Sequence, residues 1–582
     1  MLMASSNCPP VQPHGGGPKW GPSDNPDACP YCKYPHECSG HANHWTVPSS
    51  RIPNTWDAAA TRKKKEFVLC GTTPRSSFGE SCVGFRSQGT ASFPFTSLTL
   101  ATPLTYEPWI PHGYGGFTFE NRHDTKTISP GEPATWQLYY AVSDSTNLND
   151  WYGFDAALYR LHAFWRPDAY KMPHETALRL LLDSLYRNFY DPEHAVLYYG
   201  TEAAAKQTTL GFTGMSHSSL ALFVGGTRLC NDVWREAGEK LLDNVARAML
   251  EGPRFPFVSF SPKNGWSSSY WSTSSAEPGY VILCALDNLI EAIQFDLARG
   301  RKHPHWENAA KRCCDAWLDA QSPEGACPLR HPSMGEEYLV ADYDATNITV
   351  GVIASLVEAW KLWGDIRYIA SARRAAGFYG ALLDAGKLWG GPGDIEALVN
   401  SEVPMFYLRS FLRLALAEGA QPGAQTEGRA ADCLRWAKDS AAWRLAFQYT
   451  HCWPLDFGSQ LYRQGWAGLG SEGASAANIH SVCFGSINVP DYLLAAKLFG
   501  EEWWEERLRD LLSYATQQYG RFDNDVGILG AGLGMESFWT SESRWQRGNV
   551  LLLLTPPHDL GYMSWTTGWS AYGLLHDPAL KQ

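Results

Sequence analysis

Two kinds of helical stretch alternate along the chain after Pro173. One kind is amphipathic and charged: 175–190, 231–249, 304–320, 366–384, 428–448 and 501–519. In EEWWEERLRDLLSYATQQY, the last of these, apolar residues recur at helical spacing and charges fill the other positions. That pattern predicts a helix with one face in solvent. The other kind is apolar and rich in small residues: 213–225, 278–295, 347–363, 403–418, 478–499 and 562–575. Few charges interrupt these, which predicts helices buried on all sides. The order is outer then inner, six times over. Connections leaving the inner stretches are short and turn-like, as in GGTRL, WGD and FGEE. Those leading into them are long: 191–212, 250–277, 321–346, 385–402, 449–477 and 520–561. Loops longer than about 12–15 residues in a compact domain are usually functional or disordered. Six of them on the same side of the alternation predict a functional face.

Before the helices the period changes. EFVLC, ASFPFTSLTL, GGFTFEN and ATWQLYYAV alternate or run apolar and are broken by turn clusters such as SPGEP, which predicts strands. The expected organisation is an irregular Pro-, Gly-, Cys- and His-rich arm over 1–62 and a small sandwich-like antiparallel β domain over 63–145. A linker with a helical piece follows over 146–174, then a helical domain over 175–582.

The alternation resembles the six-hairpin (α/α)6 toroid shared by many glycoside hydrolases and polysaccharide lyases, over about 175–575. The likeness rests on architecture, with no family-specific catalytic motif matched. It implies a mainly α chain, a toroid of six helical hairpins with a small N-terminal antiparallel β domain, as also occurs among glycosidases. It further implies carbohydrate chemistry at the end of the ring where the long loops gather, without naming the enzyme family.

Aromatic content sharpens that expectation. The chain holds 25 Trp, 27 Tyr and 25 Phe. Core filling accounts for many of them, but flat aromatic faces in loops also suit the C–H faces of sugar rings. Trp266, Trp271, Trp389, Trp453, Trp466, Trp539 and Trp545 all fall in loops. With 48 basic against 60 acidic residues the net charge is -12, which argues against nucleic acid or an anionic membrane as partner. No apolar run approaches the roughly 20 residues of a membrane span. The start, MLMASSNCPPVQPHGGG, lacks the basic and apolar regions of a signal peptide, so the chain as given reads as cytoplasmic, with a mature secreted form left open.

Glycoside hydrolysis needs two carboxyl groups, one to protonate the leaving oxygen and one to activate water or attack carbon. Acids at the ends of the long loops are therefore the catalytic candidates. Glu277 precedes Pro278 at an inner-helix start, after Trp266, Tyr270 and Trp271. Glu402 stands in the same place in LVNSEVPMFYL, with Trp389 upstream. Either could simply be a helix-end carboxylate interacting with the helix dipole. Asp342, Tyr343 and Asp344 lie between them along the ring, and Asp344 is the better catalytic choice of the two acids. Glu536, beside Phe538 and Trp539, completes the set. Asp456, Arg463 and Trp466 come from the loop before it, His480 from the inner-helix start that follows, and His217 from the first inner helix; a lone histidine at a helix start is more often structural. In this reading Glu277 is the general acid, and Asp344 or Glu402 is the base or nucleophile.

The alternatives are a lyase acting on a uronate-containing glycan through Tyr, His and Arg, a sugar epimerase, and a glycan-binding scaffold without catalysis. For the lyase the loop cations are scattered: Lys263, Arg330, Arg463, Arg521 and Arg544. Phosphate-loop, HExxH and GxSxG motifs are absent from the sequence, and no catalytic cofactor is expected. Cysteines divide in two. Cys230, Cys284, Cys433 and Cys483 read as small buried hydrophobes in helices. Cys29, Cys32, Cys38 and His41 could instead hold a structural zinc ion, with a disulfide or a loose tail as the other readings of that spacing. Oligomeric state, sugar and linkage are not written in these patterns.

Overall fold

The computed structural model describes strand backbones between 45 and 143, the turn 129–133, and residues 172–580 apart from 202–205, 213, 269–277, 329–346, 386–400, 424–425, 446, 450–464, 474–480, 483, 501–502, 518, 524–529, 535–561. The expected strands appear as Glu66–Thr72, Phe93–Ala101, Phe119–Arg122 and Leu138–Ser143. Leu138–Ser143, Glu66–Thr72 and Ala58–Lys63 form one three-stranded sheet; Trp45–Pro48, Cys82–Thr90 and Phe93–Ala101 form another. All these pairings are antiparallel. Trp45–Pro48 and most of Ala58–Lys63 fall inside the stretch expected to be irregular.

Twelve α-helices follow among the described residues, in six pairs. They are α1 (His174–Ser184) and α2 (Met215–Arg228), α3 (Asp232–Glu251) and α4 (Pro278–Leu297), α5 (Pro304–Ala320) and α6 (Val352–Trp363). The remaining pairs are α7 (Ile366–Asp384) and α8 (Glu402–Ala417), α9 (Gly428–Leu445) and α10 (Val489–Phe499), α11 (Trp503–Tyr514) and α12 (Ser564–Leu575). The even-numbered helices pack in sequence, α2 on α4, α4 on α6, α6 on α8 and α8 on α10. The short helical turn ahead of α10 packs on α12, and α12 returns to α2. That last contact closes the ring. The odd-numbered helices lie outside it, α3 on α2, α7 on α6, α9 on α8 and α11 on α10. Connections of two to ten residues join the first five inner helices to the next outer one, so the two run antiparallel and all inner N-termini share one end.

The sequence explains the layering. On α3, Trp234, Leu241, Leu242 and Val245 face inward, whereas Asp232, Glu236 and Lys240 are exposed. On α12 every residue from Ser564 to Leu575 is buried. Local signals fix the ends. The Asn231 side chain accepts from the backbone N–H of Trp234 at 3.2 Å and Asp365 from that of Arg367 at 2.9 Å, each capping an outer helix. Gly364 leaves α6 with φ 71°, the left-handed geometry that glycine supplies at low cost. Trp306 and Trp317 on α5 are buried completely, and shortening such a side chain to alanine costs about 3–5 kcal/mol.

Three details differ from expectation. Inner helices α6 and α10 begin with 3-10 turns, Asn347–Gly351 and Phe484–Asn488. Within the stretch expected to be helical from 478, the described residues include a short strand, Ser481–Val482, paired to Glu472–Gly473. Cys230 is not a buried helical residue; it is exposed, with φ 52°, in the turn between α2 and α3. Cys284 and Cys433 are buried as expected. No helix among the described residues is long and apolar enough to cross a membrane.

Candidate active site

At the shared N-terminal end of the inner helices, aromatic side chains from four directions close the ring axis. Phe212 comes from the segment leading into α2, Phe406 from α8, Phe484 from the turn before α10, and Trp565 and Trp569 from α12. Phe212 lies 4.9 Å from Trp569 and 6.2 Å from Phe406 between ring centroids. Phe484 stacks on Trp565 at 5.9 Å and sits 5.0 Å from Trp569. Phe212 adopts φ 49°, an uncommon backbone for an aromatic residue. It is held there from both sides: its carbonyl accepts from the Trp569 indole at 3.0 Å. Gly211 beside it has no room for a Cβ, which would run into the Val281 carbonyl oxygen of α4.

Glu402 begins α8, one helical turn ahead of Phe406, and is 7% exposed. Its backbone position at a helix N-terminus favours negative charge. Across the ring, Cys284 of α4 feels it: burial first, then Asp287 and Glu402, push that thiol well above its ordinary value. The result is an acid set at the edge of an apolar aromatic floor.

Deeper along the axis the filling changes to ions. Arg409 donates to Asp491 at 2.9 Å, to Asp287 at 2.8 Å and to the Ile487 carbonyl. Arg413 meets the other oxygen of Asp287 at 2.5 Å. Although burial opposes its charge, Asp491 and Asp287 raise the pKa of Arg409 well above the usual range. The Asn488 amide donates a hydrogen bond to Asp491 at 2.7 Å and accepts from Arg444 at 3.2 Å. Arg444 also pairs with Glu472, both wholly buried; burial raises the Glu472 pKa against the pull of Arg444. These groups tie α4, α8, α9 and α10 together beneath the floor.

Of the residues proposed from sequence for the hydrolase site, four are described. Glu402 is at the mouth, inside the first turn of α8 and not ahead of it. His217 is in α2 but 1% exposed, edge-on to Tyr572 at 4.9 Å and Trp569 at 6.3 Å. Burial, then the charge of Arg409, lowers its pKa to about 3, so it sits neutral in the packed axis. Trp466 is 5% exposed and packs edge-on against Tyr514 of outer helix α11. Trp266 is half-buried on the rim. Glu277, Asp344, Glu536, Tyr270, Trp271, Tyr343, Trp389, Asp456, Arg463, His480 and Trp539 lie outside the described residues, as do Cys29, Cys32, Cys38 and His41. Sequence reading missed Phe212 and the Asp287–Arg409–Asp491 cluster. Isolated charges in otherwise apolar stretches, ALDNL, YLRSF and VPDYL, were the available sign, since buried charge needs a partner.

The rim around the mouth is ordered near α1 and α3. After α1 a π turn, Leu185–Phe189, leads into the hairpin Tyr190–Asp191 and Val196–Leu197. Asp191 accepts from Tyr198 at 2.5 Å and from the Glu193 N–H at 2.9 Å, and bonds His194 Nδ1 at 2.8 Å. Ligand atoms of Asp191, Glu193 and His194 lie within 4.8 Å of one another, an oxygen-and-imidazole set suited to a hydrated divalent cation. Next to it, strands Thr208–Thr209, Ser259–Ser261 and Gly265–Ser267 form a small antiparallel sheet.

No protein-family model matches the chain, and no curated protein matches its sequence. Solved structures do overlay on it. A GH76 alpha-mannanase from Bacteroides thetaiotaomicron shares 12% identity with a TM-score of 0.41, covering 69% of this chain and 95% of its own. An unsaturated glucuronyl hydrolase from Streptococcus agalactiae shares 11% identity at TM-score 0.41, covering 70% and 93%. A cellobiose 2-epimerase from Bacillus thermoamylovorans shares 10% at 0.42, covering 68% and 97%. Identity is low and the overlay partial; closure of the inner ring is what defines the fold of this chain.

Proposed function

We propose that the protein is a glycoside hydrolase that cleaves a glycosidic bond at the toroid mouth. The observation that carries this reading is Glu402: a nearly buried carboxyl in the first turn of an inner helix, set against an aromatic floor on the ring axis. The nearly buried rings of that floor give the mouth an apolar base, and the helix N-terminus favours Glu402 as the ionised partner, base or nucleophile. Glu277 serves as proton donor to the leaving oxygen, and Asp344 and Glu536 remain the other acids proposed for the mouth. In the inverting scheme a water is deprotonated by the base as the leaving oxygen takes its proton from the acid, with the carboxyls about 6.5–9.5 Å apart. In the retaining scheme, at about 5–5.5 Å, the carboxylate bonds the anomeric carbon and water releases the sugar in a second step.

The test is a broad glycan panel with product analysis. New reducing ends without ultraviolet absorbance support hydrolysis; an unsaturated, absorbing product would move the assignment to a lyase. His217, buried and neutral, gives that lyase reading no support.

A further inference from the structure

We propose that His194, Phe260 and Trp266 form a distal glycan subsite on the rim, outside the catalytic mouth. The proposal rests on the carbohydrate reading above and adds a substrate class to it: oligosaccharides or polymers long enough to span from mouth to rim. Three aromatic rings are in successive contact, His194 to Phe260 at 5.5 Å and Phe260 to Trp266 at 5.5 Å between centroids, with their planes inclined by 54° and 58°. Phe260 and Trp266 are cross-strand partners, so both side chains share one face of the sheet. Phe260 is 7% exposed and serves as backing, whereas His194 and Trp266 are half-exposed.

The cluster is held rigidly. The Trp266 indole donates to Asn244 Oδ1 at 3.2 Å, and the Asn244 amide donates to the carbonyls of His194 at 3.1 Å and Ala195 at 2.9 Å. One asparagine thus locks the indole to the hairpin that bears the imidazole. Ala195 is in the left-handed region, φ 52°, and this pair of hydrogen bonds pins it there. Asp191 fixes the imidazole through Nδ1. Fixed aromatic faces beside the Asp191 carboxylate and the exposed Glu193 match a pyranose, which has an apolar C–H face and hydroxyl donors at its edge. Pre-organisation of this kind lowers the entropy lost on binding.

Position gives the chain length. Both rim elements lie at the end of the ring that carries the inner N-termini, because they follow the C-termini of outer helices α1 and α3. Asn244 belongs to α3, one helix layer outside the inner ring, about 8–10 Å by ordinary helix packing. Helix α8, which carries Glu402, stands on the opposite side of that ring, three places from α2. A sugar bonded near Glu402 reaches the shelf only through further units.

The experiment uses the full chain with cello-, xylo- and manno-oligosaccharide ladders from disaccharide to octasaccharide, measuring affinity by calorimetry and turnover by product analysis. Expected is an affinity that rises with length in the wild type, and a long-to-short affinity ratio that falls about tenfold in Trp266→Ala, the equivalent of one aromatic contact. Trp266→Phe, which keeps a ring, should restore most of the ratio. His194→Ala, on the exposed turn, gives the same readout without touching the indole's packing. A ratio unchanged in Trp266→Ala and His194→Ala, with turnover present, overturns the subsite and leaves the hydrolase reading standing. Absence of binding and turnover on the panel and on all three ladders overturns both.

Discussion

The indole N–H of Trp569 donates to the carbonyl of Phe212 at 3.0 Å, and it does so where Phe212 holds a left-handed backbone with φ 49°. A non-glycine residue in that region costs roughly 1–2 kcal/mol, so the donor offsets strain at the centre of the aromatic floor. Trp569→Phe keeps an aromatic ring but leaves a buried carbonyl without its donor. It should destabilise by about 1–3 kcal/mol, read as a lower urea midpoint with an unchanged slope. A midpoint equal to wild type would mean that packing alone holds Phe212.

Arg409 supports a second expectation. It joins Asp287 of α4 to Asp491 of α10, and all three are nearly inaccessible to solvent. Arg409→Met removes the shared cation, leaving Asp491 with the Asn488 amide and Asp287 with Arg413. Breaking a buried pair in this way typically costs about 3–5 kcal/mol. The companion variant Asp491→Asn leaves Arg409 with Asp287 and should cost less. Equal stability losses in the two variants would show that Arg409 is not the hub.

The helices were legible in the sequence because periodicity reports a residue's own face. Charged 231–249 and apolar 562–575 state directly which is outer and which inner, and α3 and α12 appear accordingly. Partners across the ring are another matter. Arg409 is 82 residues from Asp491 and 122 from Asp287, and nothing local in YLRSF names either one. Phe212 is equally hidden, because a left-handed backbone arises from the squeeze between Gly211, α4 and Trp569, all tertiary facts. Glu402 could be found because its position is a local property: an acid at the join between a long loop and an apolar helix. His217 satisfied the same local rule, and the ring packed it away from the mouth.

Two buried groups give opposite pH dependences. On α9, burial first, with Asp384 adding to it against Arg435, raises the Asp439 pKa to about 7 from 3.8. Between those values the folded state binds more proton than the unfolded one, so this group's stabilisation, full at low pH, is lost as pH rises towards 7. His217 is depressed from 6.5 to about 3. There the unfolded state binds more proton, and stability falls as pH drops from 6.5 towards 3. Asp439→Asn should therefore gain on wild type steadily from pH 4 to pH 7 in denaturant midpoint. His217→Gln should gain on wild type as pH falls from 6.5. A pH-independent difference for either variant would refute its assignment.

Glu402 is tested most sharply by variants that separate chemistry from folding. Glu402→Gln keeps the shape of the side chain and its place in the first turn of α8, and loses mainly a charge–dipole contribution of about 0.3–1 kcal/mol. Stability should therefore change little while turnover on the substrate found by the panel drops by at least 10²–10⁴-fold, the usual scale of a general acid–base contribution. Affinity for that glycan should persist, because the substitution keeps the size and shape of the side chain. Azide added to Glu402→Gly attacks from the face opposite the leaving group in either scheme and gives a glycosyl azide of inverted configuration, so the comparison with the wild-type product distinguishes the two. If Glu402 is the nucleophile, the wild-type sugar is retained and the azide product is opposite to it. If it is the base, the wild-type sugar is inverted and the azide product has the same configuration. Full turnover in Glu402→Gln would remove Glu402 from the mechanism and leave the reaction to the acids on the loops.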